Sequence, residues 1–204
     1  MAKMDVPPTK SSLLTLQSGL AFAQEGYDLL EQKRQILVME LMGRIEAAKR
    51  AQADVDEVMA SAFAALREAA LRSGTEALAR EALGIVRHHR LDYSARPVMG
   101  IELPTVTAEH EPPKLEFSTA SGSALSDDVM TRFTKALDVI ARLAEVENAV
   151  LRLASEVRRT QRRVNALDKI FIPDYKETVS YIEDVLEERE REQFVVMKMA
   201  KGTE

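Results

Sequence analysis

Cysteine and tryptophan are absent from this chain of 204 residues, and aromatic residues make up only 5 % of it. Without cysteine there is no disulfide scaffold, no thiol nucleophile and no cysteine-ligated zinc. Aromatic rings carry much of the buried area in compact cores. A chain that is 46 % hydrophobic yet fills that share with Ala, Leu, Val and Met points to a helical and elongated fold, not a spherical one. No apolar run reaches the ~18 residues of a membrane span, so direct membrane insertion is not expected. Lys and Arg number 28 against 33 Asp and Glu, a formal charge of −5 that weighs against general nucleic-acid binding. The stretch Met1 to Lys10 is polar and proline-containing, without the charged start and apolar run of a secretory signal, so a cytoplasmic location is expected.

Other absences narrow the chemistry. None of the eight glycines is followed by lysine, so a phosphate-binding loop of the G-x-x-x-x-G-K-[ST] type cannot be written anywhere. His88 and His89 are adjacent and would point to opposite faces of a strand, and His110 reads as a lone loop residue. Neither a metal site nor a Ser-His-Asp arrangement follows from them. No catalytic residue, cofactor-binding residue or metal ligand is assigned.

What is present is long helical periodicity. Prolines stand at 7 and 8, cluster between Pro97 and Pro113, and recur once at Pro173. Two long proline-free stretches lie between them. In the first, Thr9, Ser11 or Ser12 can cap a helix. Its stripe runs Leu13, Leu16, Leu20, Ala23, Tyr27, Leu30, is interrupted at Arg34, and resumes at Leu37 and Leu41. A four-residue step to Ile45 breaks the heptad before Ala48, Gln52, Val55, Met59, Ala62, Leu66 and Ala69, a seam with a stutter. Gly19, Gly26 and Gly43 each cost about 1 kcal/mol of helix stability relative to Ala, and close approach of a neighbouring backbone is their expected use. In the second stretch Ser126 and Asp127 are candidate caps. The stripe there is Val129, Phe133, Ala136, Ile140, Leu143, Val146, Val150, Leu153, Val157, Thr160, Val164, Leu167 and Phe171. Pro173 is expected to kink this helix, after which Val179, Ile182, Leu186 and Phe194 carry the pattern on. The expected fold is mainly α: a long antiparallel two-helix coiled coil of the N- and C-terminal helices (9–72 and 124–200) around a central segment (73–123).

That central segment changes character. Thr75 to Leu83 reads as a short helix. Ile85 to Tyr93 and Val98 to Val106 read as the strands of a β-hairpin with Arg96-Pro97 between them. Ala108 to Lys114 and Ser118 to Ser123 read as loop.

The charge runs offer two readings. Arg158, Arg159, Arg162 and Arg163 form a basic band one turn deep, and Glu183, Asp184, Glu187, Glu188, Glu190 and Glu192 an acidic one. One reading is a pair of sleeves for partner surfaces. The other, favoured by charge alone, is a solvated face of intramolecular ion pairs. An antiparallel pairing whose residue numbers add to about 205 would set the arginines near Glu46, Asp54 and Asp56. Met39 and Met42 flank the seam as core filling, and the apolar tail at Met197 and Met199 would need a partner's socket.

Three stretches carry a resemblance. The first is Pro8-Thr9-Lys10 with the leucine spacing through Leu37; the second is Arg96-Pro97-Val98-Met99-Gly100-Ile101-Glu102-Leu103-Pro104. The third and most specific is RRVNALDKIFIP from Arg162 to Pro173, followed by Glu177-Thr178-Val179, Tyr181-Ile182 and LEEREREQF. Together they resemble the D subunits of the V-type (archaeal and bacterial A/V-type) ATPases and ATP synthases. The resemblance implies a non-catalytic central rotor shaft that couples ion flow to ATP synthesis or hydrolysis. It implies as partners the catalytic A and B subunits, the small F subunit of the stalk and the C subunit at the base. It also implies a place at the cytoplasmic side of the membrane and no cofactor of its own. Ring-contact candidates under it are Leu13, Leu16, Leu20, Arg158, Arg159, Arg162, Arg163, Phe194, Met197 and Met199. Lower-end candidates are Arg96, Val98, Met99, Gly100 and Ile101, with Pro173 as the kink. The chain departs from the family pattern at Thr15, Gln17, Ser18 and Ala21, where Lys and Arg are frequent, and at Asp168, where Glu is more usual. A stalk or adaptor of another ATPase machine, such as flagellar export, is the alternative, and it lacks the M-G-x-x-x-P and VNAL…IP segments.

Overall fold

Two prolines set the chain up for its first helix, and Thr9 starts it. In the computed structural model, which describes residues 4–83, 89–110 and 124–201, the Thr9 hydroxyl accepts from the Ser12 amide at 3.2 Å. That bond satisfies one of the donors a helix start leaves open, so Thr9 is the cap among the three candidates. Helix α1 then runs Lys10–Ser73. It stops at Gly74, whose φ of 83° suits glycine and whose amide bonds to the Ala70 carbonyl at 3.0 Å. A short α2 (Thr75–Ala82) follows, then strands β1 (His89–Val98) and β2 (Ile101–His110), then α3 (Ala124–Ala166). A π-helical turn, Leu167–Phe171, leads directly into α4, Ile172–Lys201.

The chain divides into two compact units. One comprises 1–36 and 157–204. Here α1 and α4 run antiparallel, with Lys10 bonded to Glu190 at 2.6 Å and Gln17 to Glu183 at 2.9 Å. Leu16, Val179 and Ile182 are buried between them, and Met4, Val6, Leu13, Tyr175 and Leu186 pack against that cluster. The segment before α1 is tied to α4 as well. The Met4 amide donates to the buried Thr178 hydroxyl at 3.3 Å, and Arg189 donates to the Pro8 carbonyl at 3.0 Å. Gly19 sits under the Tyr175 ring, where an added Cβ would lie 3.0 Å from Cε1. It is the one glycine of the three in α1 that serves close approach. Gly26 and Gly43 face open space.

The other unit is 37–156. Its buried residues are mostly small: Ala51, Ala62, Ala65, Ala69, Ala136 and Ala149, with Leu37 and Leu153. Alanine seams let helices approach closely, which explains how an aromatic-poor chain is packed. The Phe63 and Phe133 rings meet edge to face at 5.6 Å, and Arg132 donates to the Ser61 hydroxyl at 2.7 Å. The seam past the stutter uses Ala51, not the expected Gln52, which is exposed. Ser126 caps nothing. It lies inside the first turn of α3, and its hydroxyl donates to Glu81 on α2 at 2.5 Å.

The hairpin differs from its sequence reading in register. Arg96 and Pro97 are inside β1, and the turn is Met99-Gly100. Ala108 to His110, expected in loop, complete β2. Both central turn residues have positive φ, 51° and 80°, as the two-residue hairpin turn that follows strand twist requires. Pairing Val98 with Ile101 next to the turn makes Pro97–Glu102 and Ala95–Pro104 pairs that exchange no hydrogen bonds. Neither proline therefore removes a ladder bond, and this is how a strand contains them. Ile85 to His88, and the expected loop from Glu111 to Ser123, lie outside the described residues.

At Pro173 helical winding continues. Proline has no amide for the Lys169 carbonyl and its ring presses on that group. The preceding turn is widened, with the Ile172 amide reaching back five residues to the Leu167 carbonyl.

Candidate functional site

The site is a set of surfaces. Among the described residues no cluster of His, Asp and Glu is placed to hold a metal ion, and no helix is long and apolar enough to cross a membrane. His89 and His110, read as separate features, are opposite one another in the ladder of the hairpin.

The arginine band lies on the outer side of α3. Arg158, Arg159, Arg162 and Arg163 are all exposed, whereas Thr160 and Val164, which follow each pair, are buried. The 158–162 and 159–163 spacings put like charges one turn apart, which costs a few tenths of a kcal/mol each. Of the three acids expected to offset them, Glu46 bonds Lys49 at 3.0 Å and Asp56 accepts from Gln52 at 3.0 Å. Among the described residues Arg158, Arg162 and Arg163 have no ion-pair partner. The helix pairs fall short of the register that adds to 205. Lys10 with Glu190 adds to 200, and Phe63 with Phe133 adds to 196.

The acidic run of α4 behaves oppositely. Glu190 holds Lys10, Glu183 takes Gln17, and Glu187 and Glu188 share Arg191 at 2.5 and 3.5 Å. Much of that run is used within the chain. The Lys10 ammonium bonded to Glu190 holds that carboxyl below the usual range, and Lys10 is raised in turn. Half-buried Arg34, which interrupts the stripe, forks onto Glu31, with Nε 2.8 Å from Oε2, and depresses the Glu31 pKa through that bond.

Apolar surface is exposed on both helices of this first unit, toward the end of the pair where α1 begins and α4 finishes. Phe194, Val195, Val196, Met197 and Met199 are all exposed, Phe194 at 65 %. On α1, Leu16 is spent on the intramolecular core, and Leu13 and Leu20 are half-buried. The outward apolar residues there are Leu14 and Phe22, the latter 78 % exposed, both off the predicted stripe. Leu14 joins Leu13 and Leu186 in lining an open groove rimmed by Lys10, Glu183 and Glu187. Met39 and Met42, read as core filling, are exposed.

At the hairpin tip Arg96, Met99 and Gly100 are exposed, with Val98 and Ile101 half-buried. Met99 holds a left-handed conformation that a side chain with Cβ adopts at a cost.

Comparison with known proteins shows the family. The family described as the D subunit of ATP synthase matches residues 12–202. The chain belongs to the ATP synthase D-subunit family. It is similar to the V-type ATP synthase D subunit of Thermotoga neapolitana, 39 % identical over 198 residues that cover 97 % of this chain and 98 % of that one. It is 40 % identical over 200 residues to V-type ATP synthase D subunit 2 of Treponema pallidum, covering 98 % and 96 % of the two chains. The A-type ATP synthase D subunit of Thermococcus kodakarensis is 36 % identical over 202 residues, covering 98 % and 94 %. Membership in this family makes the chain one component of a V/A-type ATPase complex.

The sequence pattern did not point to Leu14 and Phe22, because they lie off the stripe. Nor did it point to Glu145 and Arg152 of α3, which bond the backbone of β2. Only the docked hairpin brings those partners into view.

Proposed function

We propose that this chain is the central rotor shaft of a V/A-type ATP synthase, turning inside a ring of A and B subunits and coupling ion flow to ATP synthesis or hydrolysis. The observation that carries the reading is family membership over nearly the whole length, 12–202. The surfaces agree with it. A basic band in which Arg158, Arg162 and Arg163 have no ion-pair partner among the described residues fits an acidic surface on a partner. An exposed apolar tail fits a socket that shields it from water. The ring contacts are assigned to Arg158, Arg159, Arg162 and Arg163, to Phe194, Met197 and Met199, and on α1 to Leu14 and Phe22 beside Leu13, Leu16 and Leu20. The hairpin tip, Arg96 to Ile101, is assigned to the lower end near the C subunit at the base, and the small F subunit binds the lower part of the shaft.

The mechanism is differential contact. A ring with three equivalent catalytic interfaces holds three different states only if its axle presents different faces in different directions. A helix pair whose arginine band is exposed on one helix does so. Each orientation favours one set of ring conformations by as much as its contacts differ between them, which is the requirement for coupling. The chain supplies no catalytic group and binds no nucleotide, and it works at the cytoplasmic side of the membrane. Co-purification tests the assignment. A tagged chain is expected to bring down A, B, F and C subunits; recovery without a nucleotide-binding ring overturns it.

A further inference from the structure

The β2 strand has one edge paired with β1 and one edge turned outward, and the outward edge carries two bonds to α3. The Val106 amide donates to Glu145 Oε2 at 3.0 Å. Arg152 Nη1 donates to the Glu102 carbonyl at 2.7 Å. The ladder register places Glu102 and Val106 at pairs that exchange no bonds with β1, so these two groups are the ones free to face another element. Pro104 stands between them and has no amide to satisfy. The spacings match. Glu145 and Arg152 are seven residues apart, two turns on one face and about 10.5 Å along α3. The Glu102 carbonyl and Val106 amide are separated by a similar distance along an extended strand, at about 3.3 Å per residue. Each bond pairs a full charge with a backbone dipole, the stronger class of hydrogen bond. Leu103, between the two contacts, is buried.

We propose that Glu145 and Arg152 are positioning residues that lock the hairpin to α3, so that the hairpin turns with the helix and delivers the Arg96–Ile101 tip in a fixed direction. Covering the β2 edge is a second consequence, since an uncovered edge is a template for foreign strands. The inference rests on the shaft reading for the meaning of the turn, but the lock itself is a property of this chain.

The test uses Glu145→Ala and Arg152→Ala, singly and together, with Glu145→Gln as the conservative variant that keeps an acceptor for the Val106 amide. Amide hydrogen exchange of the full chain is expected to show the Val106 amide exchanging about tenfold faster in Glu145→Ala and near the parent rate in Glu145→Gln. Helical content by circular dichroism should be unchanged. In the assembled complex, Glu145→Ala and the double variant are expected to assemble normally yet transport fewer ions per ATP hydrolysed, while Glu145→Gln stays near the parent ratio. Unchanged exchange at Val106 overturns the lock. Faster exchange with an unchanged ion-to-ATP ratio overturns its role in positioning. If the parent chain itself fails to enter the complex, the shaft reading falls, and the exchange result still decides the lock.

Discussion

Three glycines in one helix make an internal control. Glycine costs about 1 kcal/mol relative to alanine in a helix interior, so each of Gly19→Ala, Gly26→Ala and Gly43→Ala starts with that gain. At Gly26 and Gly43 a new Cβ meets nothing within 4 Å. The whole gain should appear there, and it corresponds to a rise in Tm of roughly 2–4 °C for a chain of this size. At Gly19 the new Cβ lies 3.0 Å from Tyr175 Cε1 and 3.3 Å from its Cζ and Oη. That ring packs on the Leu16, Val179 and Ile182 cluster, so it cannot withdraw without exposing apolar surface. Gly19→Ala should therefore fall at or below the parent in stability. The Tyr175→Ala background should return the gain, a coupling on the order of 1 kcal/mol in a double-mutant cycle. Urea unfolding followed by circular dichroism measures all of it. Equal stabilisation at all three positions would refute the close approach at Gly19. A loss at Gly26 or Gly43 would refute the open surroundings assigned to them.

Reversing the band with Arg158→Glu, Arg159→Glu, Arg162→Glu and Arg163→Glu should weaken assembly with the ring or its coupling, read by co-purification and by ATP-driven ion transport. Alanine at Arg158, Arg162 and Arg163 should leave the isolated chain as stable as before or slightly more so, since like charges one turn apart are removed. Normal assembly and transport after reversal would make the band a solvated face. Met99→Asn should stabilise the hairpin by about 0.5–1 kcal/mol, since Asn suits a turn position of positive φ, and hydrogen exchange of the ladder amides checks it. Acid should weaken the first unit through Glu31. Its pKa is held below the ordinary 4.5 by Arg34, so the stability it contributes is present above that value. That contribution is lost as pH falls through the depressed folded value, and Glu31→Gln should flatten this part of the pH–stability curve.

The helices were legible because their signal is local and repeated. Leu16, Leu37, Leu153 and Ile182 fall on the buried face where the 3–4 spacing put them, and Thr9 caps where a short polar residue follows proline. The hairpin was legible as a hairpin but not in register. Arg96-Pro97 read as the break between the strands, and nothing in the linear pattern says that Pro97 and Pro104 both stand at pairs without ladder bonds. The fate of each charge was least legible. Whether Glu46 meets an arginine of α3 or its own Lys49 depends on a helix register that no single stripe determines. The acidic run of α4 allowed a partner surface or intramolecular pairing, and Lys10, Gln17 and Arg191 use much of it. The lock at Glu145 and Arg152 depends on backbone groups of a distant strand, for which sequence carries no sign.

The absence of cysteine allows one labelled position and no other. Ser94→Cys, on the exposed surface of β1, would carry a probe while the A and B ring is fixed to a surface. On addition of ATP the shaft account predicts one-way rotation of the probe, pausing at three orientations per turn. Steady ATP hydrolysis by the same complexes with a probe that does not rotate would contradict it.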